Sequence, residues 1–165
     1  GIRKLLYVSS FDHMLGKQSD FRPVELRGLM EECRRRFRGN ERGIRLEVDV
    51  PAGLTVSGNA AALQTVFDNL VENGLRYAAS YIRMELTGEE EGGYLENDGA
   101  PIPQPTLNVL FQKFYKGADG NFGLGLYIAK KIVQFHKGDI WASNWADGVR
   151  FQLLLRREDR MAGRR

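Results

Sequence analysis

The spacing of apolar residues changes several times along this chain, and each change marks a boundary between elements. Ile2, Leu5 and Leu6, continued by Met14 and Leu15, draw a helical stripe over residues 2–15. Such a stripe needs a partner surface and reads as the end of a longer helix. Asp20 to Arg22 form a short extended piece. Pro23 then opens a helix that runs to about Arg38, and Gly39-Asn40 ends it. Ile44 to Val50 alternate strictly between apolar and polar residues, the pattern of a half-buried strand. The turn Pro51-Ala52-Gly53 leads to a second short strand, Leu54-Thr55-Val56.

The helical period returns from Ala60 to Tyr77, with Leu63, Val66, Phe67, Leu70 and Val71 inward and Asn59 placed to cap the start. Ile82, Met84 and Leu86 alternate as a third strand. Glu89 to Gly93 turn the chain, and Tyr94-Leu95-Glu96 return as a fourth. Asn97 to Pro103 hold too many turn formers for regular structure. A helical piece around Leu107–Phe114, a flexible Lys116–Gly120 segment and a helix within Asn121–His136 follow. Asp139–Trp145 and Val149–Leu155 close the chain as a hairpin about Asp147-Gly148. This order predicts an α+β fold, a two-layer sandwich with a mixed, mostly antiparallel sheet and helices on one face.

Length and composition narrow the class without naming a chemistry. The 165 residues suit one domain with its own core, and no apolar run approaches the length of a membrane span. The single cysteine, Cys33, excludes an intramolecular disulfide and fits a reducing compartment. It falls in register with Leu26, Leu29, Met30 and Phe37, as a core residue does. Basic and acidic residues nearly balance, 24 against 21. The run Arg34-Arg35-Arg36-Phe37-Arg38 reads as the solvated side of an amphipathic helix, not as a nucleic-acid patch. Residues 157–165 carry little to bury and read as a frayed tail.

Two stretches carry candidate chemistry. Gly123-Leu124-Gly125-Leu126 stands at a helix start, where bare N–H groups and the positive end of the helix dipole favour an anion, most often a phosphate. The alternative is a tight loop whose glycines only turn the chain. The long helix carries Asn69 and Asn73 four residues apart, hence on one side, with Arg76 and Tyr77 a turn later. Asparagine is a poor residue inside a helix because its amide competes for the backbone. An amide oxygen suits magnesium that keeps its waters and shares phosphate oxygens; Arg76 suits phosphate, and Tyr77 offers a flat face to a base. The bland reading is that both amides satisfy buried backbone groups.

FDNLVENGLRYA at 67–78, NDGAPIP at 97–103, LFQKFYKG at 110–117 and FGLGLYIAKKIVQFHKG at 122–138 resemble, in order and spacing, four boxes of one family. They are the asparagine, first glycine, phenylalanine and second glycine boxes of sensor histidine kinase catalytic domains. The resemblance covers roughly residues 20 to 155 and implies a Bergerat-type ATP-binding sandwich. It implies that Asn73 coordinates magnesium and that Asn69 stands where gyrase-type relatives place a water-activating glutamate. An amide cannot act as a general base, so slow hydrolysis is implied. Arg76 matches the basic phosphate contact and Tyr77 the adenine-stacking residue. Ile102 would line the base pocket, and Lys116 would touch the terminal phosphate, ahead of Lys113. The backbone of Gly123, Leu124, Gly125 and Leu126 would hold the β- and γ-phosphates.

Three departures qualify the match. Asn97 takes the place of the adenine-reading aspartate and Pro101 that of a glycine. Rotated, the Asn97 amide could suit guanine as well as adenine, so relaxed selectivity is expected; a slipped alignment puts Asp98 on the base instead. The segment from Lys116 to Gly123 is short, and Phe122 replaces a small hydroxyl residue. Neither His13 nor His136 has the setting of a phosphoacceptor. The reading is therefore a kinase domain that uses ATP and magnesium to phosphorylate a histidine on dimerisation helices, of which residues 1–16 are the stub. Residues 20–156 form the catalytic unit, and a response regulator receives the phosphoryl group next. The family implies a homodimeric, membrane-anchored parent with this domain in the cytoplasm. Two other readings remain, a degenerate domain without nucleotide and an anti-sigma-type serine kinase.

Overall fold

The computed structural model describes residues 16–86, 92–113 and 124–155. The N-terminal stripe with His13, the turn residues 89–91, Lys116, Phe122, Gly123 and the tail 157–165 lie outside the described residues. A single 3-10 turn, Gln18–Asp20, precedes strand β1 (Arg22–Glu25). Pro23 thus sits in a strand where a helix was expected. Its missing N–H is tolerated because β1 belongs to a small two-stranded sheet with β3 (Thr55–Gly58), antiparallel, with Pro23 opposite Ser57. Helix α1 (Leu26–Phe37) starts three residues later than expected, capped by the Glu25 carboxylate, which accepts from the Gly28 N–H at 3.1 Å.

The main sheet has the order β2–β4–β5–β7–β6, from β2 (Arg45–Asp49), β4 (Tyr81–Leu86), β5 (Gly93–Asp98), β7 (Gly148–Leu154) and β6 (Asp139–Trp145). Only β2 and β4 run parallel; the other pairs are antiparallel. Helices α1, α2 (Ala60–Tyr77) and α4 (Leu124–Phe135) lend the core their apolar sides. Leu63, Val66, Phe67 and Leu70 of α2 and Leu124, Ala129, Ile132 and Val133 of α4 are buried. Ile82, Met84, Leu95 and Phe151 meet them from the sheet. The two-layer α+β sandwich is therefore present. Among the described residues, no helix is long and apolar enough to cross a membrane.

Three local expectations change. Asn97 and Asp98 belong to β5, since pairing on both sides with β4 and β7 supplies ladder partners that outweigh their turn preference. The helix expected near 107–114 is a single turn, α3 (Gln104–Leu107), set by Pro103 and Pro105, and the chain then continues through turns. The last hairpin turns at Ala146-Asp147, with Ala146 at positive φ and Gly148 already paired with Trp145. Cys33 is fully buried. Burial first, and then its 3.0 Å hydrogen bond to the Asp68 carboxylate, push its thiol well above the ordinary range. It is a core residue, not a nucleophile. The arginine run lies along α1, where Arg34, Arg35 and Arg36 pair with Glu31 and Glu32, and Arg36 also with Asp68.

Candidate functional site

Helix α2 supplies the centre of the site. Asn59 caps its start, the side chain accepting from the Ala62 N–H at 3.0 Å. Arg42 closes its end by donating to the carbonyls of Leu75 at 2.6 Å and Arg76 at 3.2 Å, a cation on the negative end of the helix dipole. The helix comes close to the sheet at Gly74, where an added Cβ would lie 2.8 Å from Ile82 Cδ1. Leu63, Val66, Phe67, Leu70, Val71 and Gly74 are buried; the polar residues flank them.

The two asparagines of α2 part ways. Asn69 donates through Nδ2 to the Gly125 carbonyl at 3.0 Å, which ties α2 to the first turn of α4. Asn73 is half-buried and makes no side-chain hydrogen bond to the protein among the described residues. The Tyr77 ring is 42% exposed, with the Arg76 guanidinium 6.0 Å from its centre. Leu124 and Leu126 are buried in the first turn of α4, so only their backbone can serve a ligand.

The end of β5 forms the facing wall. The Asp98 carboxylate accepts from the N–H groups of Ala79 at 3.1 Å, Ser80 at 2.8 Å and Tyr81 at 3.0 Å, and from the Ser80 hydroxyl. Desolvation pushes its carboxyl up. The Ser80 hydroxyl and these backbone donors outweigh that and hold it at about 2. Asp98 is a clamp on the loop after α2, its oxygens already spent. Gly99 has φ 126°, and a Cβ there would come within 2.6 Å of the Tyr77 carbonyl oxygen; only glycine lets this loop touch the end of α2. Asn97 is buried, and its Nδ2 donates to the Asp98 carbonyl at 2.8 Å.

Ile102 is held by a residue that sequence reasoning passed over. Asn144 on β6 accepts from the Ile102 N–H at 2.7 Å and donates to the Ile102 carbonyl at 2.8 Å, pinning the loop after β5. The available signal was a polar residue where the alternation Ile140, Ala142 calls for an apolar one. Arg42 and His136 were also missed as positioning groups. His136 accepts from the Asn59 N–H at 3.0 Å, so the end of α4 and the start of α2 share a hydrogen bond. The structure thus ties Asn69 of α2 to Gly125 in the first turn of α4, with Asn73, Arg76 and Tyr77 following Asn69 on the same helix. Asn97 and Asp98 end β5, Gly99 beyond it lies against the Tyr77 carbonyl, and Ile102 follows, held by Asn144.

The family model for histidine kinase-, DNA gyrase B- and HSP90-like ATPases matches residues 58–159, a range that holds every one of these elements. The chain belongs to this ATPase family. The ATPase domain resembles sensor kinases in particular. CssS, a sensor histidine kinase of Bacillus subtilis, is 27% identical over 156 residues, 93% of this chain and 35% of its own length. BaeS, a signal transduction histidine-protein kinase of Escherichia coli, is 34% identical over 134 residues, 74% of this chain and 29% of its own length. The ATPase domain thus spans about a third of the length of these curated relatives. Among solved structures, a nucleotide-free catalytic domain of histidine kinase ThkA matches with a TM-score of 0.74 at 26% identity. The match covers 84% of this chain and 97% of that one.

Proposed function

We propose that this ATPase domain binds magnesium-ATP between α2, the end of β5 and the start of α4. The γ-phosphoryl group is passed to a histidine on dimerisation helices of a sensor histidine kinase. Asn73 carries the reading: a half-buried amide with no side-chain hydrogen bond among the described residues, in the inner part of a helix where an apolar or solvated residue is otherwise expected. Its oxygen is a neutral hard donor. Among the described residues, no group of three or more His, Cys, Asp or Glu could hold a metal, so a metal here would rest on Asn73, waters and phosphate oxygens. That donor set fits magnesium, which would supply charge neutralisation of the phosphates.

The chain's own residues do the rest. Arg76 meets phosphate oxygens, and Tyr77 lies against one face of the base, with Ile102 lining the other side of the pocket. The Leu124 to Leu126 backbone holds the β- and γ-phosphates together with Gly123, and Lys116 meets the terminal phosphate. Asn69 positions the start of α4 through Gly125. Being an amide, it takes no proton from water, which saves the phosphoryl group for transfer. Catalysis here is positioning and charge neutralisation. Residues 20–156 form the nucleotide unit, and a response regulator is the next acceptor. We also infer a homodimeric, membrane-anchored parent protein with this domain in the cytoplasm; what supports this is only that relatives are named as sensor and signal-transduction histidine kinases.

The test is calorimetric titration with a non-hydrolysable ATP analogue, with and without magnesium, on the wild-type chain and on Asn73→Ala. Magnesium-dependent binding that drops at least tenfold in the variant is expected. No binding at millimolar nucleotide refutes the reading.

A further inference from the structure

The stretch after β5 has little backbone to offer a neighbour. In Pro101-Ile102-Pro103 the two prolines carry no N–H, so the Ile102 N–H is the only backbone donor of the three. Such a segment cannot continue a strand ladder, yet its polar groups still need partners. Asn144 supplies both. Its side chain accepts from the Ile102 N–H at 2.7 Å and donates to the Ile102 carbonyl at 2.8 Å. One side-chain amide thus makes the two-bond exchange that a neighbouring strand would make through its backbone.

The clamp sits on a firm support. Asn144 lies on β6 opposite Val149 of β7, which in turn stands opposite Asn97 of β5. Val149 is buried, while Asn144 itself is exposed, so burial does not explain an amide at this position. The same hairpin holds the start of the stretch. The Gly99 N–H donates to the Asp147 carbonyl at 2.9 Å, and Gly99 lies against the Tyr77 carbonyl. Ile102 is half-buried and packs against the core. Residues 99–102 therefore bridge the end of α2 and the β6–β7 hairpin, and Asn144 sets the place of the one large apolar side chain among them.

We propose that Asn144 is a positioning residue for nucleotide binding: its amide fixes the Ile102 backbone to the β6–β7 hairpin and thereby sets the pocket wall against which the base lies. This rests on the nucleotide reading above, in which Ile102 lines that wall. A wall residue contributes affinity by close contact, and a gap of about 0.5–1 Å forfeits roughly a quarter to a half of it. A backbone already held by two hydrogen bonds also need not be ordered when the base arrives, which lowers the entropic cost of binding. In this arrangement Asn144 touches no part of the nucleotide, and its effect on affinity is routed through Ile102.

The experiment is titration of the full 165-residue chain with a fluorescent ATP analogue and magnesium. It compares wild type, Asn144→Ala, Ile102→Ala and the double variant, each checked for folding by its thermal melt. Asn144→Ala and Ile102→Ala should each weaken binding by roughly five- to tenfold, and the double variant should fall within about twofold of Ile102→Ala. A merely structural role for Asn144 would not give that coupling. Asn144→Asp keeps the shape and the acceptor but sets an oxygen against the Ile102 carbonyl. It should weaken binding as well, and it carries the test if the alanine variant does not fold. Wild-type affinity in Asn144→Ala, Asn144→Asp or Ile102→Ala overturns the proposal. So does a double variant whose loss is the product of the two single losses, because Asn144 then acts by another route. In each of these cases the nucleotide reading stands. If the wild-type chain binds no nucleotide, both readings fall.

Discussion

Acidification should loosen this domain through one buried ring. His136 is 4% exposed and stacks on Phe21, with centroids 4.6 Å apart and planes within 7°. Its Nδ1 faces the Ile132 carbonyl at 2.7 Å and therefore carries the proton, while Nε2 faces the Asn59 N–H at 3.0 Å and must be bare. Protonation puts a second N–H against that of Asn59. It breaks the bond between α4 and α2 and places a charge in a site walled by Phe21 and Gly58. Burial holds the ring below its ordinary pKa of 6.5, against a smaller opposing effect of the Ile132 carbonyl. The folded value is lowered, so the stabilisation is complete above about pH 6.5 and is lost as pH falls toward the folded value. One proton bounds the slope at about 1.4 kcal/mol per pH unit. Between pH 6.5 and 5.5 the loss is therefore at most about 1 kcal/mol, or up to roughly 2–4 °C in Tm.

Urea unfolding at pH 7.5, 6.5 and 5.5 measures this directly, in a His13→Gln background that removes the one other histidine. His136→Phe keeps an aromatic ring against Phe21 and leaves the Asn59 N–H without its acceptor. It should cost roughly 1–3 kcal/mol at pH 7.5 and flatten the pH dependence. An NMR titration in which His136 gains its proton at or above pH 6.5 would sink the argument. So would a His136→Phe curve as steep as the parent's.

Two further outcomes follow from particular contacts. Arg150 covers Glu96, which is only 2% exposed, and lies 4.0 Å over the rings of Tyr94 and Trp145. Arg150→Met should destabilise by about 3–5 kcal/mol in urea unfolding, and adding Glu96→Gln should recover part of it. Asp98→Asn keeps the shape but weakens the acceptor for Ala79, Ser80 and Tyr81, and should cost about 1–2 kcal/mol at pH 7. Because the Asp98 carboxyl is lowered from 3.8 to about 2, its contribution is present above pH 4. The gap between parent and variant should therefore close as acid titrations approach pH 2.

Much of the architecture was legible because it depends on neighbours along the chain. Helix α2 occupies Ala60–Tyr77 with Asn59 as its cap, as its apolar spacing and the capping residue require. The strands containing Ile82–Leu86 and Asp139–Trp145 follow from alternation alone. The four boxes, with Asn73, Gly99 and Gly125 in place, pointed to the ATPase family before any contact was known. Local rules failed where a distant partner outbid them. Pro23 signals a helix start, but β3 lies beside it and takes it as a strand. Asn97 and Asp98 signal a turn, but two neighbouring strands hold them in β5.

The functional side chains divide along the same line. Sequence by itself determined which residues are available: two amides one helical turn apart, a basic and an aromatic residue after them, and glycines where backbone must approach closely. What each polar atom is bonded to was decided only by the tertiary structure. Asn69 and Gly125 are 56 residues apart, His136 and Asn59 77 apart, and Asn144 and Ile102 42 apart. A hydrogen bond depends on distance and direction in space, and periodicity along the chain carries no information about either across such separations. The asparagine types at 69, 73 and 97 were plain in the sequence. That Asn69 ties two helices, that Asn73 makes no side-chain hydrogen bond among the described residues and that Asn97 donates to the Asp98 carbonyl could be read only from the packed fold.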